Sequence, residues 1–160
     1  MPVTHAAVLD ALAPLAGLTP SGALERLREF QRAALLPFGK RGGGKTRLAG
    51  LDPIEVVALG MGLFLPGPRP VDRTWTLLRL PPADPDLPSY KTFGDTVVKI
   101  LSFGESTPEI WLGTDFAKLG RTVYGQTSPS SFVKHVTIIE SPIVASLARL
   151  VQAAKSSPKK

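Results

Sequence analysis

The sequence predicts an α+β fold, with a helical N-terminal part and a smaller mixed part after it. Three observations carry that prediction. Apolar residues recur at helical spacing through most of the first 65 residues. Short runs rich in β-branched and aromatic residues follow beyond Glu109. Between them Pro81 to Pro88 holds four prolines in eight residues, which reads as a linker. The expected organisation is therefore a domain over 1–80, a second over 89–155, and a flexible basic tail over 156–160.

A chain of 160 residues is one ordinary domain or two very small ones, and 43% apolar with 20% charged residues is globular rather than disordered. It contains no cysteine, which excludes a disulfide framework, a thiolate metal site and a cysteine nucleophile. Asp10 interrupts the first apolar run and no basic stretch precedes it, so no signal peptide is expected. The longest uncharged apolar run, Val56 to Leu65, is too short for a bilayer and reads as a core helix. The expectation is a soluble, cytoplasmic protein with no membrane partner.

Taken in order, Val8, Leu9, Leu12, Leu15 and Ala16 predict a helix over Ala6 to Ala16, ended by Gly17. Thr19-Pro20 restarts the chain, Thr19 as cap and Pro20 at the first helical position. The second helix should run from Pro20 to Leu35, with Ala23, Leu27, Phe30 and Ala34 as its apolar stripe. Ser21, Glu25, Arg28 and Arg32 lie opposite, flanked by Arg26 and Glu29. Helix, short turn and helix are the first two elements of a helix-turn-helix unit. Small residues at the start of the second helix and arginines along its outer face suit entry into a major groove. The same residues also suit a surface helix whose acids and arginines pair at i,i+3 and i,i+4.

Gly39 to Leu48 follows, reading G-K-R-G-G-G-K-T-R-L, two short strands about a glycine-rich tip. Leu51-Asp52-Pro53-Ile54-Glu55-Val56 then opens another helix: Asp52 caps, Glu55 completes a capping box, and Leu51 with Val56 forms a staple. The formal charge of +6 is concentrated in this region. Ser21 to Gly50 carries Arg26, Arg28, Arg32, Lys40, Arg41, Lys45 and Arg47 against Glu25 and Glu29, and the tail adds Lys155, Lys159 and Lys160. A basic segment on a near-neutral body is the footprint of a polyanion partner.

Two chemistries fit the glycine-rich stretch. Gly39 to Thr46 matches G-x-x-x-x-G-K-[ST], in which amides wrap a β-phosphate, Lys45 meets the β- and γ-phosphates and Thr46 holds magnesium. That loop needs a buried strand before it and an unbroken helix starting at Lys45-Thr46, whereas Ala33 to Phe38 ends a helix and the next helix signal is Asp52. The alternative is a basic wing lying on a sugar-phosphate backbone, with Lys40, Arg41, Lys45 and Arg47 supplying the charge.

Leu27-Arg28-Glu29-Phe30, then Leu35-Leu36-Pro37, then Lys45-Thr46-Arg47-Leu48, then Leu51-Asp52 opening a helix, resembles the MerR-type winged helix in order and spacing. The resemblance covers about residues 6 to 65. It implies an N-terminal winged helix-turn-helix in which Ser21, Arg26, Arg28 and Arg32 enter the major groove, while Lys40, Arg41, Lys45, Thr46 and Arg47 flank it on the backbone. Three departures stand out: Gly17 to Leu35 is about a turn longer than the family's equivalent, Phe30 alone remains of its tyrosine-rich pattern, and the long dimerisation helix is missing.

In the second half, Arg69 to Leu80 suits either a helix or a strand. Ser89 is expected to cap a helix bearing Phe93, Val97, Ile100 and Leu101. Ile110 to Leu112, Arg121 to Tyr124 and Phe132 to Ile139 read as strands, and Ser141-Pro142 opens a last helix with Val144, Leu147 and Val151 inward. Trp75 and Trp111 read as core residues and His135 as a structural polar group. His5 and His135 lack metal-ligand spacing, Glu109 and Asp115 are isolated carboxylates, and no catalytic, metal or cofactor site is expected. The sequence thus predicts a sequence-specific duplex-DNA-binding protein, a transcriptional regulator acting as a homodimer through its C-terminal half and meeting the transcription machinery. A P-loop nucleotide-binding protein, a phage-type excision or DNA-packaging protein, and a protein-interaction module whose basic segment meets an acidic protein or nothing are the alternatives.

Overall fold

The computed structural model describes residues 3–33, 50–66, 69–83, 92–103, 108–113, 116–120, 122–125 and 136–156. Their architecture is α+β: six helices and one small antiparallel sheet of four strands. The helices are α1 (His5–Leu12), α2 (Pro20–Arg32), α3 (Pro53–Phe64), α4 (Pro70–Leu78), α5 (Phe93–Phe103) and α6 (Ser141–Ser156). The strands β1 (Ile110–Leu112), β2 (Phe116–Leu119), β3 (Thr122–Gly125) and β4 (Thr137–Ile139) lie between α5 and α6 in sequence.

Helix α3 organises the fold. Its residues Val56 to Leu63 are buried without a break, so it presents no polar face to water and must be surrounded. Helices α1, α2, α4, α5 and α6 all pack on it. Two glycines let them come close. A side chain at Gly60 would meet Leu147 and Leu12, and one at Gly62 would run into the Phe30 ring, which is fully buried there. The start of α3 follows the sequence signals: the Asp52 amide donates to Glu55 Oε1 at 2.8 Å, and the Asp52 side chain accepts from the amide of Glu55. Leu51 and Val56 are both buried.

One hydrophobic core includes residues from both sides of the proline-rich stretch, from Val3 through Val56 to Val151 and Ala154. The boundary expected at 81–88 therefore does not separate two cores. Residues on its N-terminal side also join the sheet. The Gly125 amide donates to Pro81 C=O at 2.8 Å, the Ala83 amide donates to Val123 C=O at 3.0 Å, and Pro82 bridges Tyr124.

The sheet has the order β3-β2-β1-β4, three strands joined in sequence with the fourth returned beside the first, which is a Greek-key arrangement. Ile110, Leu112, Ala117, Leu119, Tyr124 and Ile139 form its buried face. The register aligns Ile138, Trp111, Lys118 and Val123 in a row across the other face. Tyr124 fixes the sheet to α5: its ring meets Phe93 edge-on at 5.4 Å, and its hydroxyl donates to Thr96 Oγ1 at 2.7 Å. That Thr96 hydroxyl in turn donates to Thr92 C=O at 3.0 Å, so the buried polar chain is satisfied.

Several expected boundaries shift. Helix α1 stops at Leu12, because Ala13 to Gly17 form a turn closed by Gly17 at φ 75°. The stretch Arg69 to Leu80 resolves as a helix, since Val71, Thr74, Leu77 and Leu78 bury at helical spacing. Thr92 supplies the hydroxyl at the start of α5, accepting from the Asp95 amide at 3.2 Å, three residues after the expected cap, Ser89, which lies outside the described residues. Strand β2 was not foreseen: its four residues, Phe116-Ala117-Lys118-Leu119, carry too little apolar alternation to stand out, and the Phe116 ring lies close over Gly113. Trp75 is half-buried and packs against the core from its edge, whereas Trp111 is half-buried on the outer face of the sheet; Arg79 lies over Trp75 at 5.2 Å and Lys118 over Trp111 at 4.7 Å.

Candidate nucleic-acid interface

The α1–α2 corner is fixed by local chemistry. Gly17 takes the left-handed conformation that closes the turn, and Thr19 Oγ1 accepts from the Gly22 amide at 3.1 Å. Pro20 occupies the first helical position without a lost donor. Ala23, Leu27 and Phe30 bury against the core. The opposite face is exposed along Ser21, Leu24, Glu25, Arg28 and Arg32, one side of the helix from its first turn to its last. Ser21 Oγ lies 3.4 Å from Thr19 Oγ1.

The three arginines divide. Arg26 turns inward, its Nη1 donating to the carbonyls of Gly62 and of Leu65, the latter at 2.8 Å. Those carbonyls belong to the end of α3, where no further helical amide reaches them, so a guanidinium is a good cap. Burial pushes the Arg26 pKa down, opposed by Glu29 at 4.0 Å. Arg26 is thus occupied as a tie between α2 and α3 and does not share the outer row in which the resemblance would place it. Arg28 and Arg32 point outward with side chains 61% and 65% exposed, and both reach the carboxylate of Glu25. Arg32 Nη2 lies 2.6 Å from Oε1 and Arg28 Nη1 lies 3.9 Å from Oε2. The pairing at i,i+3 follows from sequence spacing; the one at i,i+7 does not, because it needs both side chains extended towards each other.

Lys40, Arg41, Lys45, Thr46 and Arg47 lie outside the described residues, as does His135. Helix α2 ends at Arg32, and ahead of α3 the Leu51 amide donates to Val3 C=O at 2.8 Å. Leu51 is thereby tied to the residue two positions before α1. Gly50 to Asp52 are non-helical, and the next helix starts at Pro53. Helix α2 precedes the segment and the sheet is antiparallel throughout, so the strand–loop–helix frame of a phosphate-binding loop has no counterpart among the described residues.

Other surfaces offer less. An open groove of about 350 Å³ lies between α3, α5 and α6, lined by Ile54, Val98, Asp95, Lys99 and Lys155 among others. Lys99 and Lys155 also lie over the exposed Phe103 ring at 5.3 and 5.2 Å. Among the described residues no cluster of acidic and histidine side chains could hold a metal ion, and no helix is long and apolar enough to cross a membrane. The His5 Nε2 atom is buried without a hydrogen-bond partner, and burial pushes its pKa down. The pairing of Glu25 with Arg28 is the one that sequence spacing allows, whereas the hold of Glu25 on Arg32, seven residues on, has no signal in the sequence. No known family model matches the chain, and no curated protein or solved structure matches it either.

Proposed function

We propose that the protein binds duplex DNA through a winged helix-turn-helix formed by α1, α2, the basic segment and α3, and that it acts as a transcriptional regulator. Helix α2 would lie in the major groove, with Arg28 and Arg32 reaching base edges or phosphates, while Ser21 leaves its first turn free of bulk. Lys40, Arg41, Lys45, Thr46 and Arg47 would contact the backbone. The observation that carries this reading is the outward row of Ser21, Arg28 and Arg32 on a helix locked from behind by Arg26 and Phe30. A helix held so firmly can hold a register in a groove. A homodimer assembled through the C-terminal half, meeting the transcription machinery, completes the proposal; phage-type excision or packaging would use the same interface.

The test is capture of fragmented genomic DNA on the full-length protein, followed by sequencing. An enriched motif whose binding weakens steeply with salt is the expected result. Magnesium-dependent nucleotide binding abolished by Lys45→Ala, with no duplex retained at moderate salt, would replace this reading by the phosphate-loop one.

A further inference from the structure

We infer that Glu25 is a positioning residue for base readout: it gathers the Arg28 and Arg32 guanidiniums into one paired unit that reads neighbouring guanines. The inference rests on the duplex-DNA reading above. Its basis is the geometry of the cluster, in which a single carboxylate meets Arg32 at 2.6 Å and Arg28 at 3.9 Å, one oxygen to each. Glu25 and Arg32 are seven residues apart, about 10.5 Å along a helix axis. Side chains on a helix lean towards its N-terminus, so Arg32 reaches back along that lean and Glu25 extends forward to meet it. The bond from Arg32 Nε to Arg28 C=O at 3.4 Å holds the same course. The charge of Arg32 is thereby carried away from the end of α2 and placed beside that of Arg28.

Stability does not explain the arrangement. All three side chains are more than half exposed, and ion pairs in water at such sites add close to nothing to folding. The cluster does limit the rotamers of two long side chains on the outer face. Each guanidinium fork matches the O6 and N7 edge of a guanine, and neighbouring base pairs are stacked closely enough for a gathered pair to meet two of them. The carboxylate also sets a penalty: it repels phosphates, so α2 gains little from lying on the backbone at random. Leu24, exposed next to Glu25, adds no charge to this face.

The experiment compares wild type, Glu25→Gln and Glu25→Ala on the duplex recovered by selection and on a scrambled duplex of equal length, at two salt concentrations. The expected result is a loss of roughly tenfold or more on the selected duplex, the scale of one arginine–guanine contact, with binding to the scrambled duplex unchanged or tighter. Replacing the site's guanines by 7-deazaguanine should weaken wild type and leave Glu25→Gln much less affected. Equal tightening on both duplexes would mean that Glu25 is only a competing charge, and would overturn the inference while leaving DNA binding intact. Equal affinity of wild type for both duplexes would overturn the readout function itself, and this inference with it. Melting temperatures of the variants, expected to stay close to wild type, separate either outcome from misfolding.

Discussion

Replacing Arg26 by alanine distinguishes a structural arginine from its two exposed neighbours. In the folded chain the Arg26 guanidinium caps the end of α3 through the Gly62 and Leu65 carbonyls, with a side chain only 16% exposed. A hydrogen bond from a charged donor contributes about 1.5–3 kcal/mol, and removing the donor leaves two acceptors facing an apolar contact. Water can reach part of the vacated space, so the two bonds should not be counted at full value. A loss of about 2–4 kcal/mol is expected. For a chain of this length each kcal/mol is about 2–4 °C in Tm, so the midpoint should fall by roughly 5–15 °C. Arg26→Lys should recover about half, since an ammonium can serve one carbonyl well but not both at fork spacing. The assay is thermal unfolding followed by circular dichroism, beside the same measurement on Arg28→Ala and Arg32→Ala, whose exposed side chains should change stability by no more than about 0.5 kcal/mol. Duplex affinity, measured well below the midpoint, should weaken in Arg28→Ala and Arg32→Ala without a loss of stability, whereas any weakening in Arg26→Ala should accompany its loss of stability. An Arg26→Ala protein that melts with wild type would refute the cap, and with it the inward orientation on which the assignment of the outer row depends.

Three other outcomes are expected. Gly62→Ala should lose about 1–2 kcal/mol, because the gain in helix propensity of up to about 1 kcal/mol is smaller than the cost of displacing the buried Phe30 ring, whereas Gly60→Ala meets only leucine methyl ends, the nearest at 2.9 Å, and should be near neutral; denaturant unfolding of both variants checks the contrast. Tyr124→Phe should cost about 1 kcal/mol by removing the hydroxyl that donates to Thr96, with the fold unchanged by near-ultraviolet circular dichroism. His5 has its pKa lowered from 6.5 by burial, so the unfolded chain takes up a proton first as the pH falls; stability should drop below about pH 6.5 and level off below the folded pKa, and His5→Gln unfolded across the same pH series should lose that component of the slope.

Local signals carried much of the helical architecture, and tertiary ones did not. Thr19-Pro20 and Asp52-Pro53-Ile54-Glu55 place the starts of α2 and α3 because caps are decided by three or four adjacent residues. The apolar run of Val56 to Leu65 announces a core helix, but a run that is apolar on every side gives no direction, so nothing in it names α6 as a principal neighbour. Hence the prolines of 81–88 read as a division between domains, although Pro81 and Ala83 hydrogen-bond to the third strand and the helices on both sides share one core. Strand β2 escaped notice for a related reason: a four-residue strand containing an alanine and a lysine has too little pattern to stand out, and its place is set by pairing with β1 and β3.

The candidate site raises the same issue within a single helix. Arg26 stands three residues after Ala23 and four before Phe30, both buried, so helical periodicity already places it on the inner face. Counting it with Arg28 and Arg32 weighed charge above angle. What periodicity could not supply is the acceptor, because the carbonyls that hold Arg26 lie at residues 62 and 65, on another helix, and are backbone groups with no side-chain signature. Once that arginine is assigned to packing, the described part of α2 presents Arg28 and Arg32 outward against Glu25, a small net charge. Most of the net positive charge between Ser21 and Gly50 belongs to Lys40, Arg41, Lys45 and Arg47. Helix and basic segment then have different work in the proposed complex. The segment would provide salt-dependent attraction to any duplex, and the helix, weakly charged and firmly held, would contribute discrimination among sequences. Lys45→Ala should therefore flatten the salt slope by about one unit on every duplex while preserving the preference among them, and a preference that vanished together with the slope would show that the two tasks are not divided in this way.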